Sequence, residues 1–228
     1  MRESLQALGV DPAIIPQGSY PHLITYDYEA KLAPDGREKG GKTRIVTTHT
    51  PMSFAISSNI PGQEDFFESS TSDGQSLELA DRFIKELERL SDVSYQIVRP
   101  QFEDVFTRLE EIRALCTLER EFRAIDHAVA AVERYIRQVP TLGFNSGKYD
   151  MGLIEDEFIH LLQSKCVQVI KKNRAFMKFA TDKLLFLDLS FFVGQNVSLS
   201  AFLKAYNKDG QQKMSFPYEY VTSFFKTR

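Results

Sequence analysis

The chain contains no tryptophan, only two cysteines and no long hydrophobic run. No apolar segment approaches the roughly 20 residues needed to cross a bilayer, and residues 1–10 lack the apolar stretch of a secretory signal. Cys116 and Cys166 are far apart and have no histidine at metal-ligand spacing, so two reduced thiols are favoured over a disulfide. With 18 phenylalanines among 228 residues, the composition predicts a globular protein of one large domain or two small ones, with Phe, Leu and Ile in its core.

The chain also has little net charge, −3 in total, which excludes a uniformly basic nucleic-acid binder. The charge is unevenly distributed. Residues 62–140 carry 10 basic and 17 acidic side chains, whereas residues 141–228 carry 12 basic and 8 acidic ones. A phosphate backbone is therefore expected to contact the C-terminal third, if it contacts the chain at all.

The first 74 residues are predicted to contain two long strands. His22–Glu29 alternates apolar and polar residues, and residues 44–60 form a second β-rich run that includes Pro51. Because proline has no backbone donor, a bulge or a sheet edge is expected at Pro51. The glycine-containing segment 35–41 and residues 62–74 are predicted to be loops.

The rest of the chain is predicted to alternate between helices and short strands. Leu79, Phe83, Leu87 and Leu90 share one face of a helix over 77–90, and 92–98 is predicted to be a short strand. Helices are expected at 102–138 with one break near 117, at 149–163, and up to Tyr206 after a cap at Ser198 or Ser200. Strands are expected at 141–145, 166–170, 175–180 and 184–189. This order predicts an α/β (α+β) fold, a mixed sheet flanked by helices, in which 62–140 is a helical insertion.

Asp27-Tyr28-Glu29, on the first predicted strand, is the only D-x-E in the chain. Residues i and i+2 of a strand point to the same face, so the two carboxylates project together. A divalent cation would relieve their repulsion, and hard oxygen ligands suit Mg²⁺ or Mn²⁺. Two solvated acids on the outer face of a strand remain the alternative.

A second group of polar residues, Asn145-Ser146-Gly147-Lys148-Tyr149-Asp150, lies where a predicted strand leads into a helix. Gly147 permits a tight turn, and Asp150 falls in the first helical turn, near the positive end of the helix dipole. A purely structural role, with Asn145 and Asp150 shaping and capping the turn, is an equal alternative.

Taken together, the two groups indicate a phosphodiester-cleaving site. An acidic pair on one strand and a third carboxylate on a later helix can hold two cations, which activate a water and stabilise an in-line phosphoryl displacement. An asparagine and a tyrosine beside the third acid can hold a nucleotide by hydrogen bonding and by stacking.

These motifs and the sequence around them resemble the exonuclease region of family B DNA polymerases. The resemblance is to the organellar and viral, protein-primed group, which includes the polymerases of Maverick/Polinton transposons and linear plasmids. It runs from about Leu23 to Phe225. The segments that carry it are HTPMSFAISSNIPG, TLGFNSGKYDMGLI, VIKKNRAFMKFATDKLLFLDLSFF, SLSAFLKAY and FPYEY.

The resemblance implies a ribonuclease H-like fold and a DNA-directed DNA polymerase with 3′–5′ proofreading exonuclease activity. Asp27, Glu29 and Asp150 would then be catalytic and would bind two Mg²⁺ or Mn²⁺ ions. Single-stranded DNA would be held at its 3′ end by a second set of residues, namely Asn145, Ser146, Tyr149, Leu189 and Ser190. The family often has a hydroxyl residue directly after the first motif, where this chain has Ala30.

The third exonuclease motif of the family, Y-x₃-D, is missing, because no tyrosine here is followed by aspartate four residues later. Tyr206 comes nearest, with Asp209 at the third position. The polymerase signatures S-L-Y-P and D-T-D are also missing. The chain is therefore expected to be a piece of such a polymerase, truncated before the third motif and the palm, with weak exonuclease activity or none.

The predicted organisation is an N-terminal tail at 1–20 followed by an exonuclease-like domain at 21–228. The expected partners are a single-stranded DNA 3′ end, a terminal priming protein and the remainder of the polymerase, with no membrane. Lys171, Lys172 and Arg174 could contact phosphates, and a solvated turn is an equal alternative. A catalytically inactive single-stranded DNA-binding module, or a transposon remnant, is the alternative function.

Overall fold

A seven-stranded mixed sheet lies at the centre of the protein, with helices packed against it. The structure is a computed structural model, and it describes residues 1–34, 38–39, 43–44, 47–70, 75–173, 175–193 and 197–206. The chain divides into two units, of which the first spans Met1–Leu189 and the second begins at Ser190. All parts of the sheet belong to the first unit. The architecture is therefore of the α/β type that the sequence predicts.

The strands are β1 (Ile24–Pro34), β2 (Glu38–Lys39), β3 (Thr43–Arg44), β4 (Thr47–Ser58), β5 (Phe66–Ser69), β6 (Val139–Gly143), β7 (Cys166–Lys172), β8 (Ala175–Thr181) and β9 (Leu184–Asp188). The helices are α1 (Arg2–Ala7), α2 (Ser76–Val98), α3 (Glu103–Leu115), α4 (Glu119–Arg137), α5 (Asp150–Leu153), α6 (Glu155–Leu162) and α7 (Leu199–Tyr206). Short 3-10 helices cover Pro12–Ile14, Arg99–Phe102 and Leu189–Phe191.

The strand order of the sheet is β5-β4-β1-β6-β9-β8-β7, and β2 pairs with β3 in a separate two-stranded sheet. β1 is antiparallel to β4 on one side and parallel to β6 on the other. β6 is in turn parallel to β9, whereas β8 and β7 continue the sheet as an antiparallel pair. The carboxyl ends of β1, β6 and β9 therefore point the same way, toward one edge of the sheet.

A β-bulge interrupts the β1–β4 pairing at the position that Pro51 predicts. Glu29 is paired with Ser53, but the next residue, Ala30, is paired with Pro51, so Met52 is the extra residue. The proline has no backbone donor for a regular ladder, and an extra residue increases the local twist of the strands. The prediction is confirmed, and the bulge lies directly beside the acidic motif of β1.

The sheet buries one face against α2, α5 and α6. Tyr26, Tyr28, Phe54 and Phe186 from the strands pack with Phe83 and Phe158 from these helices in the main hydrophobic cluster. Edge-to-face ring contacts such as Tyr28–Phe83, at 4.9 Å between centroids, fill this core. Phenylalanine and tyrosine rings thus fill this core, in a chain that has no tryptophan.

Residues 1–20, predicted to be a tail, form part of a second hydrophobic cluster. Leu5, Val10 and Ile15 are buried there with residues of α3, α4 and the end of α2. The Tyr20 hydroxyl donates to the Ile136 carbonyl at 2.7 Å, and His22 Nδ1 lies 2.8 Å from the Ser94 hydroxyl. These contacts attach the segment that precedes β1 to the helices.

Two local predictions are wrong. The segment 92–98 is not a strand, because α2 continues through it and buries Leu90, Ser94 and Val98 at a spacing of four residues. The segment 62–74 is not all loop, because Phe66–Ser69 pairs with β4 as an edge strand. In both segments the composition leaves the secondary structure ambiguous, and tertiary packing decides between helix, strand and loop.

The other predicted elements agree closely with the structure. The charged stretch after 102 is two helices, α3 and α4, separated at 116–118, and three strands lie between Cys166 and Asp188. Ser198 caps α7 by accepting from the Ala201 N–H at 3.1 Å. The predicted loop at 35–41, Arg174, Asp209 and the segment FPYEY lie outside the described residues, apart from the short strand β2. No helix in the described part of the chain is both long and apolar enough to cross a membrane.

Candidate functional site

The two acids of β1 lie on the face of the strand that points away from the core. Tyr26 and Tyr28 are buried, whereas Asp27 between them is exposed and Glu29 is half-buried. This alternation follows from the two-residue period of a strand. Asp27 and Glu29 therefore project together, as the sequence predicts.

Asp150 begins α5, and its side chain is only 3% exposed. Its carboxylate accepts a hydrogen bond from the backbone N–H of Tyr28, which lies between Asp27 and Glu29 in the chain. Burial, followed by the negative charges of Asp27, Asp188 and Glu29, raises the pKa of Asp150 from 3.8 to about 7. The Tyr28 hydrogen bond opposes this rise because it favours the charged form.

The position of Asp150 depends on where the β1–β6 pairing stops. β1 pairs with β6 only through Ile24 and Thr25, although β1 continues to Pro34. Beyond Thr25 the β6 side of β1 is therefore open to α5, and the N–H of Tyr28 reaches Asp150 there. Crevices at the carboxyl ends of parallel strands, where neighbouring connections diverge, are common ligand sites in α/β proteins.

Asp188, the last residue of β9, orders the turn that leads to Asp150. Its carboxylate is buried and accepts from the backbone N–H of Asn145 at 2.9 Å and of Gly147 at 3.0 Å. Asn145 has a positive φ of 60°, a conformation that asparagine tolerates better than most residues. Asp188 is therefore a further residue of the site, and its place at the end of an apolar strand is the sequence signal that could have indicated it.

Gly147 is required for close packing, and its φ is not positive. Its carbonyl accepts from the Phe176 N–H at 3.0 Å. A Cβ at this position would lie 1.9 Å from the Phe176 carbonyl oxygen, far inside van der Waals contact. The turn therefore lies directly against β8, and the left-handed residue of the turn is Asn145, not Gly147.

Tyr149 is exposed beside the acids and contacts β4. Its hydroxyl forms a 3.1 Å hydrogen bond with Nδ1 of His49, and the two rings meet edge to face at 5.6 Å. Burial of its hydroxyl raises the pKa of Tyr149, and the charges of Asp150, Glu29 and Asp27 add to the effect. The phenol ring of Tyr149 therefore lies within the electrostatic influence of all three acids, of which Asp150 is buried.

The other predicted DNA-binding residues differ in exposure. Asn145 is exposed, whereas Ser146 is fully buried and its hydroxyl faces Tyr26. Leu189 is half-buried directly after Asp188. Ser190, in the second unit, is a half-buried residue of a 3-10 helix.

The donor set at the site suits a hard divalent cation. Asp27, Glu29 and Asp150 supply only carboxylate oxygens, and a cation would relieve the repulsion that raises the pKa of Asp150. Within the described ranges, however, no three side chains of His, Cys, Asp or Glu form a group that could hold a metal ion. The charges of the three acids thus influence one another, but among the described residues their carboxylates do not form a metal-binding group.

A cleft of about 360 Å³ adjoins His49. It is lined by His49–Pro51 of β4 and by the start of α6, including Glu155, Asp156 and Glu157. Glu155 pairs with Lys171 at 2.7 Å, and Glu157 accepts from the Ser76 hydroxyl at 2.6 Å. Because three acids line it, this cleft is unfavourable for phosphate groups.

Comparison of the chain with protein-family models and with curated proteins finds no match.

Asp188→Asn is expected to lower the free energy of unfolding by about 2 kcal/mol. An asparagine oxygen can accept from only one of the two N–H groups, and its NH₂ group would face the other donor. Chemical denaturation of the wild type and of the variant measures this loss. Asp182→Asn, an exposed acid in the β8–β9 turn, is the matched control and should change stability by less than about 0.5 kcal/mol. Equal stability of Asp188→Asn and wild type would contradict an anchoring role.

Proposed function

We propose that this chain is the exonuclease region of a protein-primed family B DNA polymerase and acts on the 3′ end of single-stranded DNA. One observation carries the proposal. Asp150 is buried beside the backbone of Tyr28, where burial and then the charges of Asp27, Asp188 and Glu29 raise its pKa. Perturbed carboxylates gathered in a crevice are typical of functional sites, where burial and neighbouring charges tune pKa values for catalysis.

The sheet topology supports a ribonuclease H-like fold for this region. The acidic motif lies on β1, which has an antiparallel partner on one side and a parallel partner on the other. The second motif directly follows that parallel partner, β6, and the third parallel strand, β9, ends at Asp188. This arrangement brings the two motifs to the same edge of the sheet, as an exonuclease of this family requires.

Asp27, Glu29 and Asp150 would hold Mg²⁺ or Mn²⁺, two ions in all. When bound, such ions supply an activated water and stabilise the oxygens of an in-line phosphoryl displacement. Asn145 and the exposed ring of Tyr149 would hold the terminal nucleotide, and Leu189 and Ser190 would lie along the strand. The buried Ser146 would contribute through the turn rather than through a direct contact.

A labelled single-stranded oligonucleotide incubated with Mg²⁺ or Mn²⁺ tests the proposal. We expect slow, cation-dependent shortening from the 3′ end, weak because the chain lacks Y-x₃-D. Asp27→Ala should abolish the shortening, whereas Asp65→Ala, an exposed acid ahead of β5, should leave it unchanged. Shortening that persists in Asp27→Ala would exclude this site as its origin.

A catalytically inactive module that binds single-stranded DNA is the second candidate. It is favoured by the finding that the described acids form no closed metal-binding group. This candidate predicts binding that weakens steeply with salt, with no shortened product under any cation. The same oligonucleotide distinguishes the two candidates, and a wild type that neither binds nor shortens it would exclude both.

A further inference from the structure

His49, on β4, forms a hydrogen bond with the hydroxyl of Tyr149. The two residues are 100 positions apart in the chain, yet the Tyr149 hydroxyl lies 3.1 Å from Nδ1 of His49. Tyr149 itself lies in a turn whose backbone is fixed, since its N–H donates to the Asn145 carbonyl at 3.1 Å and its carbonyl accepts from Leu153 at 2.8 Å. The tyrosine is thus fixed at its backbone by the turn and at its hydroxyl by β4.

This double attachment matters because the ring remains accessible. The side chain of Tyr149 is 45% exposed although its hydroxyl is engaged. An exposed tyrosine without a partner samples several rotamers, and stacking a base on it costs the entropy of fixing one of them. A ring that is already held in one orientation avoids that cost, which is how preorganisation increases affinity.

The neighbouring cleft limits where a DNA strand can run. Glu155, Asp156 and Glu157 line this cleft together with His49, so phosphates are repelled there. His49 also contacts Tyr149. A DNA strand end that reaches Tyr149 is therefore expected to stop short of the acidic cleft.

We propose that His49 is a positioning residue that fixes the Tyr149 ring as a stacking platform for the 3′-terminal base of single-stranded DNA. This inference rests on the proposed function, and it adds a residue that neither exonuclease motif contains. His49 acts through Tyr149 and makes no contact with the reacting atoms.

The test uses the full chain and a short single-stranded DNA that ends in a 3′-terminal 2-aminopurine. The last linkage of this DNA is a phosphorothioate, which slows hydrolysis. Binding is measured in the presence of Mg²⁺. Stacking of the 2-aminopurine on Tyr149 quenches its fluorescence. His49→Ala is expected to weaken binding about fivefold, the effect of losing one hydrogen bond, and to reduce the quenching at saturation. His49→Asn, whose side-chain oxygen can take the place of Nδ1, should restore both.

A double-mutant cycle separates positioning from a general effect on the fold. Tyr149→Phe keeps the ring but loses the hydroxyl, so it should also weaken binding about fivefold. If the two residues act through their mutual hydrogen bond, the double variant should match either single variant instead of multiplying to about 25-fold. His127→Ala, an exposed histidine on α4, is the matched control and should bind as the wild type does.

The outcomes distinguish this inference from the function on which it rests. Binding with full quenching in His49→Ala, or additive losses in the double variant, would overturn the role of His49 while the proposed function stands. A wild type that binds no single-stranded DNA would overturn both.

Discussion

Replacing Asp150 by asparagine is expected to stabilise the protein at about pH 8 by on the order of 4 kcal/mol. Burial and the neighbouring acids raise the pKa of this carboxyl from 3.8 to about 7, so at alkaline pH the fold contains a buried charge that it disfavours. A neutral asparagine of the same shape removes that charge, and its oxygen can still accept from the Tyr28 N–H.

The same shift predicts how stability depends on pH. The folded state binds the proton of Asp150 more tightly than the unfolded state does, so this contribution is fully present below about pH 4. It is lost as pH rises through the folded pKa of about 7. Denaturant unfolding at several pH values should show this decline in the wild type and not in Asp150→Asn.

Asp156→Asn is the matched control, because Asp156 is an exposed acid in the first turn of the neighbouring helix α6. It should change stability by less than about 0.5 kcal/mol at either pH. If Asp150 contributes to a cation site, Mg²⁺ should stabilise the wild type at about pH 8 and leave Asp150→Asn unaffected. An Asp150→Asn variant less stable than the wild type at that pH would show that the charge is compensated.

The second large effect is expected at Gly147. Gly147→Ala should destabilise the protein by about 3 kcal/mol, because the new Cβ would lie 1.9 Å from the Phe176 carbonyl oxygen. To relieve this overlap, the turn must move away from β8, and this movement would also displace Asn145, Tyr149 and Asp150. Thermal or chemical unfolding measures the loss of stability, and oligonucleotide binding should fall with it.

Gly152→Ala is the control for this variant and has the opposite expected sign. A Cβ at Gly152 meets no atom within 4 Å, and Gly152 lies in the short helix α5. Alanine there should stabilise the protein by about 0.5–1 kcal/mol, since it restricts the unfolded chain more than glycine does. A Gly147→Ala variant as stable as Gly152→Ala would mean that the contact with Phe176 is easily relieved.

Some features of the site are predictable from residue order alone. The two-residue period of a strand places Asp27 and Glu29 on one face, and Pro51 predicts the bulge beside them. The start of α5 at Asp150 follows from the change of pattern after a short strand. Each of these inferences depends on neighbours within a few residues, where backbone geometry is local.

Other features depend on residues distant in sequence. Asp188 binds the backbone of Asn145 and Gly147 across about 40 positions, and Gly147 looks like an ordinary turn glycine until Phe176 is brought against it. The strand-like composition of 92–98 is overridden because α2 packs its Leu90, Ser94 and Val98 into the core. Local preference is weak enough for burial to reverse it.

The order of residues along the chain thus determines which residue types are available, where strands and helices begin, and which acids share a face. Tertiary packing sets the pairing of β1 with β4 and β6, the burial that raises the pKa of Asp150, and the contact between His49 and Tyr149. The physical reason is that pKa shifts and close contacts depend on desolvation and on atoms brought together from far along the chain, whereas the periods of strands and helices depend only on the backbone.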